Sequence, residues 1–141
     1  CAEEVAKRCE GVTVADGDPL DICIYSERLI NRADIILNAR VVGGIQMIDG
    51  GEADDKIIAV LEGDNIWGGV TDIIDLPAIK TERLQHYFST YKLIPGKTVD
   101  IKVDCVYGRE EALKVIEAAR KDYDSHFGNL FGDQAPIDLA S

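Results

Sequence analysis

From Thr98 to Cys105 the chain alternates strictly, with Val99, Ile101, Val103 and Cys105 on one set of positions and Thr98, Asp100, Lys102 and Asp104 on the other. A period of two belongs to a pleated strand, so this segment must lay one face on a core and turn the other to water. Ile22 to Tyr25, Asp34 to Val42, Ile45 to Ile48 and Lys56 to Leu61 are further short runs rich in branched residues, the composition of strands. Gly43-Gly44 and Gly50-Gly51 fall between them, where glycine supplies the positive φ of tight connections. The outline is a β-meander.

Two helices interrupt and close this sheet. Leu84, Tyr87, Phe88 and Tyr91 recur at i, i+3, i+4 and i+7 between Pro77 and Pro95-Gly96, which predicts a helix ending near Tyr91-Lys92. A second runs from about Arg109 to His126 on Ala112, Val115, Ile116, Ala119 and Tyr123, supported by Glu110/Lys114 and Glu117/Lys121 and stopped at Gly128. Residues 1–15 read as a covering loop with a short helix over Ala2 to Arg8, and the stretch past Gly128 as a loose tail. With 141 residues and no repeat or linker, one domain is expected over 1–141.

Charge narrows the function. A formal net charge of −11 argues against nucleic acid as a partner, since phosphate-backbone binders need Lys and Arg. No apolar run approaches the eighteen or so residues of a membrane span, so no membrane partner is expected. Cys1, Cys9, Cys23 and Cys105 form no CxxC pair and have no His at zinc spacing. Cys23 and Cys105 lie in apolar strand-like runs and read as small buried hydrophobes, reduced in a cytoplasmic protein.

Chemistry concentrates in two acidic turns. Asp16-Gly17-Asp18-Pro19-Leu20-Asp21 stands at the mouth of a strand. Extended, it puts Asp16 and Asp18 on one face at roughly 7 Å, and as a β-turn it gathers Asp18 and Asp21. It is equally readable as a turn that caps a strand. An EF-hand does not fit, because Leu20 takes a ligand position and Pro19 sits inside. Asp49-Gly50-Gly51-Glu52-Ala53-Asp54-Asp55-Lys56 lies between two expected strands. Alone it is a solvated hairpin tip. Converging with the first turn, it can hold hard divalent cations such as Mg²⁺, with Lys56 beside the acids for an anionic substrate. Tyr91 belongs to the apolar stripe of its helix and Lys92 to a helix C-terminus, where a cation is favoured anyway. No Ser/His/Asp or Cys/His arrangement is readable, and Gly43-Gly44 are not a phosphate-binding loop, because they are followed by Ile45-Gln46 and not by Lys-Ser/Thr.

The DGDPLD segment at residues 16–21 matches the DGDPxD signature of the soluble family I inorganic pyrophosphatases. Met47-Ile48-Asp49 through Asp54-Asp55-Lys56-Ile57-Ile58-Ala59-Val60 resembles their second acidic block, and Tyr87-Phe88-Ser89-Thr90-Tyr91-Lys92 resembles their late phosphate-binding helix end. Three blocks in order are more specific than any one. The resemblance implies a mainly β, α+β fold, an OB-like five-stranded β-barrel with flanking helices, and Mg²⁺-dependent hydrolysis of pyrophosphate to two phosphates. Carried over by position, Asp16, Asp21 and Asp54 would bind activating metals and Asp49 a substrate-borne one. Asp18 would take the proton of the attacking water, and Lys56, Tyr91 and Lys92 would grip phosphate oxygens.

The family pattern also has an N-terminal segment ahead of DGDPxD, which this chain begins too late to contain. The expectation is an incomplete barrel, either in a fragment, as Cys1 in place of Met suggests, or completed by another chain in a homo-oligomer. The rival reading is a non-catalytic divalent-cation-binding or interaction module, or an inactive pyrophosphatase fragment. Phosphate release separates the two.

Overall fold

The computed structural model describes residues 18–127, so Asp16, the expected helix over Ala2 to Arg8, the stop at Gly128 and the tail lie outside the described residues. Five strands, β1 (Asp21–Tyr25), β2 (Ala39–Asp49), β3 (Glu52–Ala53), β4 (Lys56–Leu61) and β5 (Ile101–Gly108), form one mixed sheet. Two helices flank it, α1 (Ala78–Thr90) and α2 (Arg109–Phe127).

The long strand β2 is the spine of the sheet. It pairs antiparallel with β4 on one edge, from Ala39↔Leu61 to Ile45↔Lys56, and with β5 on the other, from Gly43↔Gly108 to Asp49↔Ile101. β3 continues the β4 arm in the same register: Ile48 faces Ala53, and the Asp54 N–H still donates to the Met47 carbonyl at 2.9 Å. The regular ladder lapses at Asp54-Asp55, between β3 and β4. Beyond β4 lies β1, parallel to it from Asp21↔Lys56 to Tyr25↔Val60.

That parallel pair corrects the meander outline, because β1 skips β2 and pairs with a strand far along the chain. A second correction concerns Gly43-Gly44. The runs expected over Asp34 to Val42 and Ile45 to Ile48 merge into one strand beginning at Ala39, and these glycines lie inside it. Their role is close approach. A Cβ on Gly43 would sit 2.5 Å from the Tyr107 carbonyl oxygen and 2.8 Å from Ile73, and one on Gly44 would collide with the Tyr107 ring. Gly50 and Gly51, with φ of 58° and 84°, do form the tight turn, joining β2 to β3.

The alternation seen between Thr98 and Cys105 holds from Ile101 to Asp104 and then changes phase. Met47 pairs with Val103 and Ile45 with Val106, so Asp104 and Cys105 together face Gln46. This is a β-bulge, and it turns Val106 inward in place of Cys105. Cys105 is therefore exposed, its thiol 3.3 Å from Gln46 Oε1, rather than a buried hydrophobe. Cys23 packs against the core, and burial, followed by the charge of Asp21, raises its thiol pKa against a smaller opposing effect of Lys56. Iodoacetamide is expected to modify Cys105 before Cys23, as read by peptide mass mapping. The reverse order would contradict the bulge.

The core divides about the sheet. Val42, Ile45, Met47, Ile58, Val60, Val70, Leu76 and Phe88 form one cluster, into which α1 sends Phe88. Ala53 and Ile57 meet Ala112 and Val115 of α2 in the other. Successive residues of the β3–β4 arm thus serve opposite faces. Lys56 to Val60 are all buried, and each large apolar side chain among them stabilises the fold by about 1.5–3 kcal/mol. Asp72, which caps a short turn of 3-10 helix at Ile73–Asp75, ties that turn to the start of α2, its Oδ2 accepting from the Arg109 N–H at 2.9 Å.

Candidate active site

Strand alternation aims the site. Because Ala53 and Ile57 pack toward α2, Asp54 and Lys56 emerge on the opposite face. The parallel pairing Asp21↔Lys56 brings the start of β1 beside them. Lys56 Nζ donates to Asp21 Oδ2 at 2.7 Å and also to Asp54 Oδ1. Its side chain is 4% exposed, Asp54 13% and Asp21 67%. The Phe88 ring closes one side, 5.8 Å from the ammonium. Burial alone would lower the Lys56 pKa, but the hydrogen bonds it donates to Asp21 and Asp54 outweigh it and the net direction is up.

A second ion pair spans the other side of the cleft. Asp49 ends β2 just before the glycine turn, which is pinned by the Gly50 N–H to Asp100 carbonyl bond at 2.8 Å. Lys92, beyond the end of α1, pairs with Asp49 and lies 5.4 Å over the Tyr91 ring. Hydrogen bonds to Asp49 first, and then to Tyr91, push the Lys92 pKa well above its ordinary value. Both ammoniums stay charged across the neutral range. With raised pKa values, the countercharge they give the acids is present below the ordinary lysine value of about 10.4 and is lost only as pH climbs through the higher folded values.

Asp18 and Pro19, ahead of β1, complete a cleft of about 630 Å³ lined by Asp18, Asp21, Asp49, Asp54, Lys56, Tyr91 and Lys92 together with Glu52. Every site residue expected from sequence that falls within the described residues is there; Asp16 lies outside them. Glu52 was not singled out from sequence. Its signal was available, since it stands two residues before Asp54 on the same arm and so shares a face with it.

Five carboxylates face two lysines in this cleft, an excess of negative charge that calls for further cations. Among the described residues, no three such acids stand close enough to share one ion. The donor chemistry nevertheless suits a hard divalent cation, because all the acids are carboxylates. Asp21, at the start of β1, and Asp54, between β3 and β4, already converge on one positive charge at Lys56 Nζ.

Comparison with known proteins matches residues 3–124 to the family model for inorganic pyrophosphatase. The inorganic pyrophosphatase of Chlamydia muridarum is 50% identical over 117 residues, 79% of this chain and 56% of that protein. Soluble inorganic pyrophosphatase 2 of Chlamydomonas reinhardtii is 37% identical over 112 residues, 79% of this chain and 57% of that one. The chain spans about half the length of the curated relatives it matches. Among solved structures, the inorganic pyrophosphatase of Thermus thermophilus superposes with a TM-score of 0.71 at 32% identity, covering 81% of this chain and 66% of that one. The Helicobacter pylori enzyme gives a TM-score of 0.70 at 35% identity, covering 82% and 68%. Sequence and fold agree over most of its length, and the chain belongs to the inorganic pyrophosphatase family.

Proposed function

We propose that the protein carrying this chain hydrolyses pyrophosphate to two phosphates in this cleft, with Mg²⁺ as cofactor. The observation that carries the reading is the meeting of carboxylates from two acidic turns with two lysines and a tyrosine in one cleft. Asp21 and Asp54, with Asp16 from the same signature, are the proposed holders of the activating ions, and Asp49 of an ion that arrives with the substrate. When bound, Mg²⁺ lowers the pKa of a coordinated water toward neutrality.

The side chains do the remaining work. Asp18 is the proposed general base, accepting the water's proton on a carboxylate oxygen. Lys56, Tyr91 and Lys92 grip phosphate oxygens and offset the charge that collects on the leaving phosphate. Both lysines are paired to acids in this structure. Turning them to phosphate strips Asp21, Asp54 and Asp49 of countercharge, so pyrophosphate binding and cation binding by the acids reinforce one another.

We also propose a homo-oligomer in the cytoplasm. Apolar side chains left in the open, Leu29 at 87% and Ile36 at 98% exposed, support association. The free thiol of Cys23 supports a reducing compartment. Among the described residues no helix is long and apolar enough to cross a membrane.

The functional reading is tested by phosphate release from pyrophosphate. The complete protein is expected to turn over with Mg²⁺ and to stop when the metal is chelated. Undiminished turnover in excess chelator overturns the metal role, and Mg²⁺ binding without phosphate release favours the non-catalytic cation-binding module.

A further inference from the structure

Asp55 stands between Asp54 and Lys56 but points the other way, toward α2, and is 2% exposed. Its neighbours on that face are apolar: Ala53 and Ile57 flank it on the arm, and both pack with Ala112 and Val115. A carboxylate in such a place needs a strong reason, because burying one is costly unless it is hydrogen-bonded. Tyr107 of β5 supplies a partner, its hydroxyl donating to Asp55 Oδ2 at 2.8 Å. β5 and the β3–β4 arm are not neighbours, since β2 lies between them. The Tyr107 ring crosses β2 over Gly44, its partner in the β2–β5 ladder, where any Cβ would collide with the ring. The strut therefore consists of Tyr107, the Gly44 slot and Asp55. It ends where the ladder lapses between Ala53 and Lys56, the stretch that presents Asp54 and Lys56 to the cleft.

We infer that Tyr107 and Asp55 are positioning residues that hold Asp54 and Lys56 at the angle the cleft requires, with Gly44 as the slot that lets the ring reach across. This rests on the reading of the cleft as the site of pyrophosphate hydrolysis. The regular ladder lapses at Asp54-Asp55, where the strut arrives, and small displacements of catalytic groups cost large factors in rate. The strut acts from the far side of the sheet and touches no substrate.

The test uses Tyr107→Phe, which keeps the ring and removes only the hydroxyl. In the complete protein we expect kcat/KM for pyrophosphate to fall about 10-fold and Mg²⁺ affinity by calorimetry to weaken about 3-fold, in line with loss of one hydrogen bond to a charged group. Amide exchange should quicken at Asp54, Asp55 and Lys56, with the rest of the β2–β4 ladder unmoved. Asp55→Asn keeps a carbonyl acceptor for the tyrosine and should hold kcat/KM within about 3-fold of wild type, whereas Asp55→Leu should repeat the Tyr107→Phe loss. Gly44→Ala, whose Cβ would sit 2.6 Å from the Tyr107 hydroxyl oxygen and so push ring and hydroxyl aside while both polar residues are kept, should lose activity in the same direction. With an active wild type, an unaltered kcat/KM in Tyr107→Phe overturns the inference, as does a fall in Tm with exchange quickened evenly across the sheet. A wild type that releases no phosphate overturns the reading of the cleft instead, and the inference then stands or falls on the exchange rates at Asp54 and Lys56.

Discussion

Replacing Lys56 with Met is expected to lower kcat/KM for pyrophosphate by about 10²- to 10³-fold, the usual consequence of removing one fixed donor aimed at developing charge. Methionine keeps the apolar stem that packs near Phe88 and removes only the ammonium. Stability should fall as well. Lys56 is 4% exposed and its partner Asp54 13%, so Asp54 is left largely desolvated and facing Asp21. Breaking a fully buried pair costs about 3–5 kcal/mol, but Asp21 is 67% exposed and solvent screens its share. A loss of about 1–2 kcal/mol is the expected size. Mg²⁺ should restore part of it by supplying the missing positive charge, so the variant's Tm should rise more with Mg²⁺ than that of wild type. A variant within 3-fold of wild type in kcat/KM would remove Lys56 from the substrate's path.

The second large effect concerns Asp18. It lines the cleft just ahead of Pro19 and β1, beside Asp21 in the signature. Asp18→Asn preserves shape and removes basicity, so kcat should fall by about 10²-fold or more while Mg²⁺ affinity changes much less. Steady-state kinetics with a parallel Mg²⁺ titration separates the two quantities. Equal loss of both would make Asp18 a metal ligand instead of the base.

Much of this was legible in the sequence because the signals were local. Two-residue periodicity and branched residues located β1, β4 and β5, and the i, i+3, i+4 stripes located both helices, because these patterns reflect burial of one face. The acidic turns were legible for a similar reason: glycine and proline fix where the chain bends, and the bends gather the carboxylates. What escaped depended on contacts across the fold. Gly43-Gly44 looks like a turn from sequence, and only the Ile73 and Tyr107 side chains lying against it show that the pair makes room within a strand. The bulge opposite Gln46 is a matter of register between β2 and β5, which no pattern within β5 alone reports. The parallel pairing of β1 with β4 joins segments about thirty-five residues apart, as Asp21↔Lys56 shows. Asp55 read as one more solvated acid in a charged turn, and its burial followed only from the α2 face that closes over it.

Asp21, Asp49 and Asp54 are proposed to gather divalent cations in the cleft that Lys56 and Lys92 also line. Titration with Mn²⁺ in place of Mg²⁺, followed by paramagnetic broadening of assigned carboxylate and backbone resonances, tests it most directly. Broadening should begin at Asp21, Asp49 and Asp54, spread to Glu52 and Lys56, and reverse when excess Mg²⁺ is added. Broadening that starts elsewhere on the acidic surface, or that leaves these three aspartates sharp, would contradict it.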